Sequence, residues 1–320
     1  MTYIKEDLVP TLSDLFVVTD PHFDDLVKVI ESKEFYPIFI SGLSGNGKTL
    51  SVEQACARTE RPLIRVNITI ETDEDDLLGG FRLVNGETQW NDGPVIQAMR
   101  LGAVLLLDEV DLASTKILCL QPILEGGGIL LKKINEYVKP AKGFNIISTA
   151  NTKGQGSENG KFIGTNVLNE AFLERFPVTL QQNYPSSEFE KDILEKVYVD
   201  LVGSANDEVK DFISYLVQWA DQTRKTYFAD ASTELISTRR LVHIIKAYAV
   251  LKSKVKALNF CTNRFDSETQ ANFIHLFDKI DPTYTTKNDL DDESEFNLVD
   301  SEDEESLDEV ASDISKILKS

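Results

Sequence analysis

The sequence predicts an α/β fold in which a doubly wound parallel sheet, covered by helices on both faces, is followed by an α-helical subdomain. Short apolar runs of strand length alternate with helical stretches as far as Pro185, a pattern typical of buried parallel strands. These runs are residues 38–40, 63–66, 104–107, 144–147 and 178–180. Beyond Pro185 only helical periodicity remains, at residues 187–200, 207–227, 237–251 and 267–280.

The first elements are a helix, a strand and a glycine-rich loop. An apolar stripe at residues 23–30 predicts the helix, which Asp20-Pro21 is expected to start. A strand at residues 36–41 leads into GLSGNGKT, and a second helix follows at residues 48–58. This context and the full match to GxxxxGK(S/T) predict a phosphate-binding loop, because glycines let successive backbone N–H groups face an anion.

The residues of this loop have separate expected roles toward a bound nucleotide. Lys48 is expected to reach the β- and γ-phosphates, and the Thr49 hydroxyl is expected to bind Mg²⁺. The backbone of the loop and of the following helical turn supplies the other contacts, from Gly42, Ser44, Gly45, Asn46, Gly47 and Leu50. The predicted cofactors are therefore ATP and Mg²⁺.

Polar residues end two later strands, and parallel strands bring such residues to one edge of a sheet. Asp108 and Glu109 follow an apolar strand about 60 residues after the loop. Asp108 is expected to hold Mg²⁺ through water, and Glu109 to polarise the attacking water. Asn151 ends the next strand and is expected to contact the γ-phosphate or that water. Asp111 either assists at the metal or caps a helix.

Two hairpins interrupt the alternation of strands and helices. Asn85-Gly86 joins residues 81–84 to residues 87–90, which is a strong hairpin signal. Residues 129–131 and 137–138 predict the second hairpin. The aromatic residues Phe81 and Trp90 either grip a partner or pack against each other across the first one.

Composition and charge exclude several classes of protein. The net charge is −20, and residues 286–320 carry thirteen acidic residues against three lysines, so non-specific nucleic-acid binding is disfavoured. No apolar run could span a bilayer and no signal peptide is recognisable, so we expect a cytoplasmic chain without a membrane partner. The scattered cysteines and histidines predict no metal site built from protein ligands alone.

The predicted organisation has four parts. Residues 1–20 form an N-terminal segment, residues 21–185 the nucleotide-binding α/β domain, residues 186–282 a helical lid, and residues 283–320 a disordered acidic tail. Within the tail, residues 307–318 have helical apolar spacing and either fold on a partner or fray.

Several motifs together resemble one family, the AAA+ ATPases. They are GLSGNGKT, DLLGGF, WNDGPVIQAMRLG, LLLDEVD, STANT, GTNVLNEAFLERF and STRRL, and they lie between about residues 20 and 250. They are most similar to the MoxR and cobaltochelatase CobS-type branch, which includes dynein-related ATPases and versions encoded by large tailed phages. The resemblance implies a homo-oligomeric ring, typically a hexamer, with ATP bound between subunits.

The resemblance also implies roles for further residues. Asn151 matches the position called sensor 1, and Arg175 matches the arginine finger that reaches the γ-phosphate of the neighbouring subunit. Arg239 matches the sensor-2 arginine of the lid, with Arg240 adjacent to it. The two hairpins match inserts that face the pore or the substrate in relatives.

Three functions remain open at this point. The leading hypothesis is an ATP-driven remodeller of a protein or protein–metal complex, acting with an adaptor that carries a von Willebrand A domain. A nucleic-acid motor or loader is the second, with Lys132, Lys133 and Lys139 of the second hairpin lining a channel. The third is a scaffold that binds ATP without turnover, against which Glu109 and Arg175 argue.

Overall fold

The computed structural model describes residues 5–19, 21–156 and 165–284 of the chain. The chain divides into two compact units, residues 1–246 and residues 247–320. Asp20 and the predicted acidic tail beyond residue 284, with its segment 307–318, lie outside the described residues. The predicted boundary at residue 185 lies within the first unit and remains a prediction.

The described strands form one parallel sheet and two hairpins. In chain order they are β1 (Ile38–Ser41), β2 (Leu63–Asn67), β3 (Gly79–Val84), β4 (Glu87–Asp92), β5 (Val104–Asp108), β6 (Ile129–Leu131), β7 (Glu136–Val138), β8 (Asn145–Ala150) and β9 (Val178–Gln181). The parallel sheet has the order β2-β5-β8-β1-β9. The predicted doubly wound α/β fold and its two hairpin inserts are confirmed.

Helices cover the sheet and form the rest of the first unit and the second. In chain order they are α1 (Phe23–Ser32), α2 (Lys48–Arg58), α3 (Glu74–Leu78), α4 (Pro94–Leu101), α5 (Gln121–Leu124), α6 (Glu170–Leu173), α7 (Ser187–Val202), α8 (Asp207–Phe228), α9 (Thr238–Leu251), α10 (Lys254–Thr262) and α11 (Ser267–Ile280). The division between the two units falls within α9. No helix in the described part of the chain combines the length and hydropathy needed to cross a bilayer.

Strand β5 shows how the sequence produces the layered core. Alternate side chains of a strand leave opposite faces of the sheet. Leu105 and Leu107 join the apolar cluster that also contains residues of α4, whereas Val104 and Leu106 join the cluster that contains residues of α1 and α2. A strand buried on both faces must be apolar at every position, which is why residues 104–107 form an unbroken run.

The starts of α1 and β1 are among the element boundaries that differ from the sequence prediction. Helix α1 begins at Phe23 and not at Pro21, and Phe23 is the first residue of this stretch whose side chain is buried in the core. Strand β1 begins at Ile38 and not at residue 36, because Pro37 has no N–H for the sheet. The Tyr36 backbone pairs instead with the Asn145 side chain, through hydrogen bonds of 3.1 Å in each direction.

The two hairpins are tied to their surroundings by side-chain contacts. The rings of Phe81 and Trp90 pack edge to face with centroids 5.6 Å apart, which favours the cross-strand alternative for this pair. Arg100 of α4 forms ion pairs with Asp92 of the first hairpin at 2.7 Å and with Glu136 of the second at 2.8 Å. One cation therefore links both inserts.

Candidate nucleotide-binding site

A cavity of about 370 Å³ lies at the carboxyl ends of β5 and β8, beside the N-terminus of α2. Ligand sites in parallel α/β sheets favour this edge. The cavity contains all but two of the predicted site residues: Ser44, Gly45, Asn46, Gly47, Lys48, Thr49, Leu50, Asp108, Glu109, Asn151 and Arg239. Gly42 lines an adjoining cavity, and Arg175 lies elsewhere.

The glycine-rich loop is held open by backbone geometry and by one buried anchor. A side chain at Gly42 would place its Cβ 2.1 Å from the Gln182 carbonyl oxygen, so only glycine fits. Gly47, which precedes α2, has a left-handed φ of 95°. Asn46 donates to the Gln182 carbonyl at 2.6 Å, and the Gln182 amide donates back to the Asn46 carbonyl at 3.0 Å. Sequence reasoning missed Gln182, since no motif marks it.

Lys48 is 8% exposed, and its ammonium folds back onto the loop. It donates to the Gly42 carbonyl at 2.6 Å and to Asn151 Oδ1 at 3.3 Å. Burial is the main cause that lowers the Lys48 pKa from 10.5 to about 8, and the charge of Asp111 is the largest opposing influence. Phosphate oxygens could replace the carbonyl as partners and would favour the charged form.

We expect ATP affinity to fall as pH rises above about 8, because the anionic phosphates bind the protonated amine. At pH 9 the dissociation constant should be roughly tenfold larger than at pH 7. Lys48→Met should weaken binding at pH 7 and remove this pH dependence. Calorimetry across pH measures both; a wild-type affinity that is constant to pH 9 would contradict the prediction.

The same lysine should make the folded chain more stable as pH rises, although it makes ATP binding weaker. Between pH 8 and 10.5 the unfolded chain binds more protons at Lys48 than the folded chain does. The contribution of this group to the free energy of unfolding therefore increases with pH in that window. Comparing the wild type with Lys48→Met by urea unfolding isolates this contribution.

The residues predicted to hold the metal lie together. The Thr49 hydroxyl donates to Asp108 Oδ1 at 2.9 Å, and the Thr149 hydroxyl donates to the same oxygen. Glu109 N–H donates to Thr149 Oγ1 at 3.2 Å, so Thr149 connects the two acids. A hydroxyl and a carboxylate, completed by water and phosphate oxygens, form a donor set that fits Mg²⁺.

Glu109 follows directly after β5 in an unusual backbone conformation. Its φ of 58° is left-handed, which is uncommon for a residue other than glycine. Its half-buried side chain lines the cavity, and no described residue hydrogen-bonds its carboxylate. Such local strain often occurs at functional sites, and here it accompanies a carboxylate with free acceptor capacity.

Asp111 lies inside the 3₁₀ turn Val110–Leu112, so the alternative that it caps a helix is wrong. Its buried Oδ2 accepts hydrogen bonds from Asn151 N–H at 2.9 Å and from Thr152 N–H at 3.0 Å. Asp111 therefore fixes the backbone of Asn151 at the end of β8, where the Asn151 side chain meets Lys48.

Two residues that follow β9 in the chain contact the loop at two successive carbonyls. The Tyr184 phenol donates to the Ser44 carbonyl at 2.7 Å, and Arg239 N–H donates to the Gly45 carbonyl at 3.2 Å. Burial raises the Tyr184 pKa, so the phenol remains a proton donor. Of the two adjacent arginines, Arg239 lines the cavity, and Arg240 is not among the described residues that line it.

The cavity extends from the loop to an apolar surface that sequence reasoning missed. Leu15, Phe16 and Val17 of the N-terminal segment line it together with Ile193 of α7 and Val242 of α9. An apolar slot beside a phosphate site suits a planar base. The N-terminal segment has no periodic pattern, so no local signal could have identified these residues.

Arg175 does not line the nucleotide cavity of its own chain. Its guanidinium forms an ion pair with Glu125 at 2.6 Å and donates to the Ala171 carbonyl. It lines a separate cavity of about 490 Å³ that also contains residues of the second hairpin. The predicted role toward a neighbouring subunit remains a prediction.

The fold and this arrangement of residues define the class: a P-loop nucleotide-binding domain of the AAA+ type. Residues 37–176 match the family described as AAA domain (dynein-related subfamily). This match supports the AAA+ class that the motifs predicted. A RuvB point mutant of Thermotoga maritima has a similar fold, with a TM-score of 0.50 at 13% identity over 79% of this chain and 73% of that one.

Two curated relatives are similar to parts of this chain. Aerobic cobaltochelatase subunit CobS of a Sinorhizobium species is 29% identical over 211 residues, which are 64% of this chain and 63% of the relative. An uncharacterised protein of Staphylococcus haemolyticus is 33% identical over 170 residues, 50% of this chain and 60% of that protein. The chain thus spans about three fifths of the length of these relatives.

Proposed function

We propose that this chain hydrolyses ATP with Mg²⁺ as a subunit of a homo-oligomeric ring, with six subunits as the expected number. The observation that carries the proposal is the convergence of Lys48, Thr49, Asp108, Glu109 and Asn151 on one cavity. Lys48 would bind the outer phosphates, and Thr49 and Asp108 would hold Mg²⁺, which neutralises phosphate charge when bound. Glu109 would take a proton from the attacking water, which Asn151 would orient.

Calorimetry of the full chain with ATP and Mg²⁺, followed by phosphate-release kinetics, tests this proposal. We expect saturable binding and turnover in the wild type, and loss of both in Lys48→Ala. Lys142→Ala, an exposed substitution outside the cavity, is the matched control. A folded wild-type chain that binds no ATP–Mg²⁺ would contradict the proposal.

In this proposal Arg175 acts on the neighbouring subunit, which is consistent with its absence from its own cavity. We expect Arg175→Ala rings and Lys48→Ala rings each to lack ATPase activity. Mixed rings should regain part of it, because some interfaces pair an intact Lys48 with an intact Arg175. Phosphate release from mixtures measures this; mixtures as inactive as either variant alone would count against action between subunits.

We further propose that ATP turnover remodels a protein or a protein–metal complex, with a von Willebrand A-domain adaptor. The similarity to a cobaltochelatase subunit supports this direction. A nucleic-acid motor is less favoured, because Lys133 of the second hairpin is engaged by Asp75 at 2.5 Å. Affinity capture with Glu109→Gln, which should retain its partners, and a test of DNA-stimulated hydrolysis distinguish the two.

A further inference from the structure

Arg65 of β2 lies at the metal-binding edge of the cavity and contacts two acids there. Its Nη2 lies 2.5 Å from Asp108 Oδ2, and its Nη1 lies 3.2 Å from Glu53 Oε1. Strand β2 pairs directly with β5, which brings Arg65 beside Asp108 although 43 residues separate them. No sequence motif marked Arg65.

The contacts of Asp108 show what this guanidinium does. The Asp108 side chain is 5% exposed, and its Oδ1 already accepts hydrogen bonds from Thr49 and Thr149. Its Oδ2 is taken by Arg65. A guanidinium therefore neutralises the carboxylate at the place where the hydration shell of a metal ion would bind.

We propose that Arg65 competes with Mg²⁺ for Asp108, and that binding of the metal with nucleotide shifts the guanidinium onto Glu53. This inference rests on the proposed function, which assigns Mg²⁺ to Thr49 and Asp108. It deepens that proposal by naming the residue that sets how tightly the chain binds the metal.

Repulsion between the two cations supports the proposal that Arg65 and Mg²⁺ compete for Asp108. A divalent ion and a guanidinium on one shielded carboxylate repel each other, and the repulsion is strong where water is excluded. Arginine does not lose its proton, so only movement of the side chain relieves the repulsion. The Arg65 side chain is 47% exposed and Glu53 is 30% exposed, so the guanidinium has room to leave Asp108 while it keeps Glu53.

Manganese binding tests the proposal without relying on turnover. Free Mn²⁺ is measured by electron paramagnetic resonance as it is titrated into the complex of the full chain with ADP, from which unbound ADP has been removed. We expect Arg65→Gln to tighten Mn²⁺ binding roughly fivefold, because one cation is removed from the carboxylate. Arg65→Lys, which keeps the charge, should stay nearer to the wild type.

Glu53→Gln provides the opposite test. Without its second acid, Arg65 should hold Asp108 more firmly, so Mn²⁺ binding should weaken about threefold. If Glu53 acts through Arg65, the same substitution should have little effect in the Arg65→Gln background. Arg264→Gln, which makes the same charge change as Arg65→Gln but lies in the second unit, is the control for that variant and should match the wild type.

The possible outcomes separate the inference from the proposed function. If Arg65→Gln binds Mn²⁺ as tightly as the wild type or more weakly, and its melting temperature is unaltered, then Arg65 does not compete with the metal for Asp108. An equal effect of Glu53→Gln in both backgrounds overturns the role of Glu53 as the alternative acceptor. A wild-type chain that binds ADP but no Mn²⁺ overturns both the metal site and the competition, and one that binds no nucleotide overturns the proposed function itself.

Discussion

Glu109→Gln is expected to lower the ATP turnover number by roughly 10² to 10⁴-fold, the range that general-base catalysis contributes. Glutamine keeps the size of the side chain but cannot accept a proton from water at neutral pH. The phosphate contacts proposed for Lys48 and the Thr49–Asp108 hydrogen bond do not involve Glu109, so ATP affinity should stay within about threefold of the wild type. Single-turnover kinetics and calorimetry measure the two quantities separately.

The matched control for this variant is Glu31→Gln, the same substitution at an exposed position of α1 outside the cavity. It should leave turnover and affinity unchanged. Normal hydrolysis by Glu109→Gln would show that another group activates the water. Loss of ATP binding in this variant would instead place Glu109 in nucleotide binding.

Arg224→Met is expected to lower the free energy of unfolding of the first unit by about 3–5 kcal/mol, because it leaves a buried carboxylate unpaired. Arg224 and Glu190 form a two-pronged ion pair at 2.9 and 2.8 Å, with Glu190 1% exposed. Glu190 also accepts the Thr238 hydroxyl at 2.5 Å, and the Arg224 guanidinium lies 4.1 Å from the Tyr184 ring centroid.

A double variant distinguishes two contributions to stability: the cost of leaving Glu190 without its partner, and the net contribution of the Arg224–Glu190 ion pair. Glu190→Leu with Arg224→Met removes both charges and should regain most of the stability lost in the single variant. Lys225→Met, which removes an exposed cation paired with Asp221, should cost less than about 1 kcal/mol. Urea unfolding measures all three. If Arg224→Met lowered the free energy of unfolding as little as Lys225→Met does, the prediction for a buried ion pair would be wrong.

This ion pair also bears on the site. Tyr184 lies under Arg224 and donates to the Ser44 carbonyl, while Thr238 precedes Arg239, whose N–H reaches the Gly45 carbonyl. These residues therefore position two carbonyls of the phosphate loop through one buried pair. We expect Arg224→Met to weaken ATP binding as well as stability.

The phosphate loop and the acids at the end of β5 were predictable from the sequence alone. Each is carried by consecutive residues: GLSGNGKT between a strand and a helix, and an unbroken apolar run that ends in Asp108 and Glu109. Strand and helix periods are local properties, so they also predicted the hairpins and most helix bounds. Five helices had no predicted range: α3, α4, α5, α6 and α10. Of these, α3, α5 and α6 are only four or five residues long, too short for a helical period to show, and the apolar pattern of α10 is weak.

Tertiary structure alone decided which distant residues complete the site. Arg65 reaches Asp108 because β2 is the neighbour of β5, and Gln182 supports the loop because β9 lies beside β1. The apolar part of the cavity likewise joins residues of the N-terminal segment to residues of α7 and α9. Strand order and helix docking depend on how whole surfaces pack against each other. The local hydrophobic periods of strands and helices, two and 3.6 residues, do not contain this information.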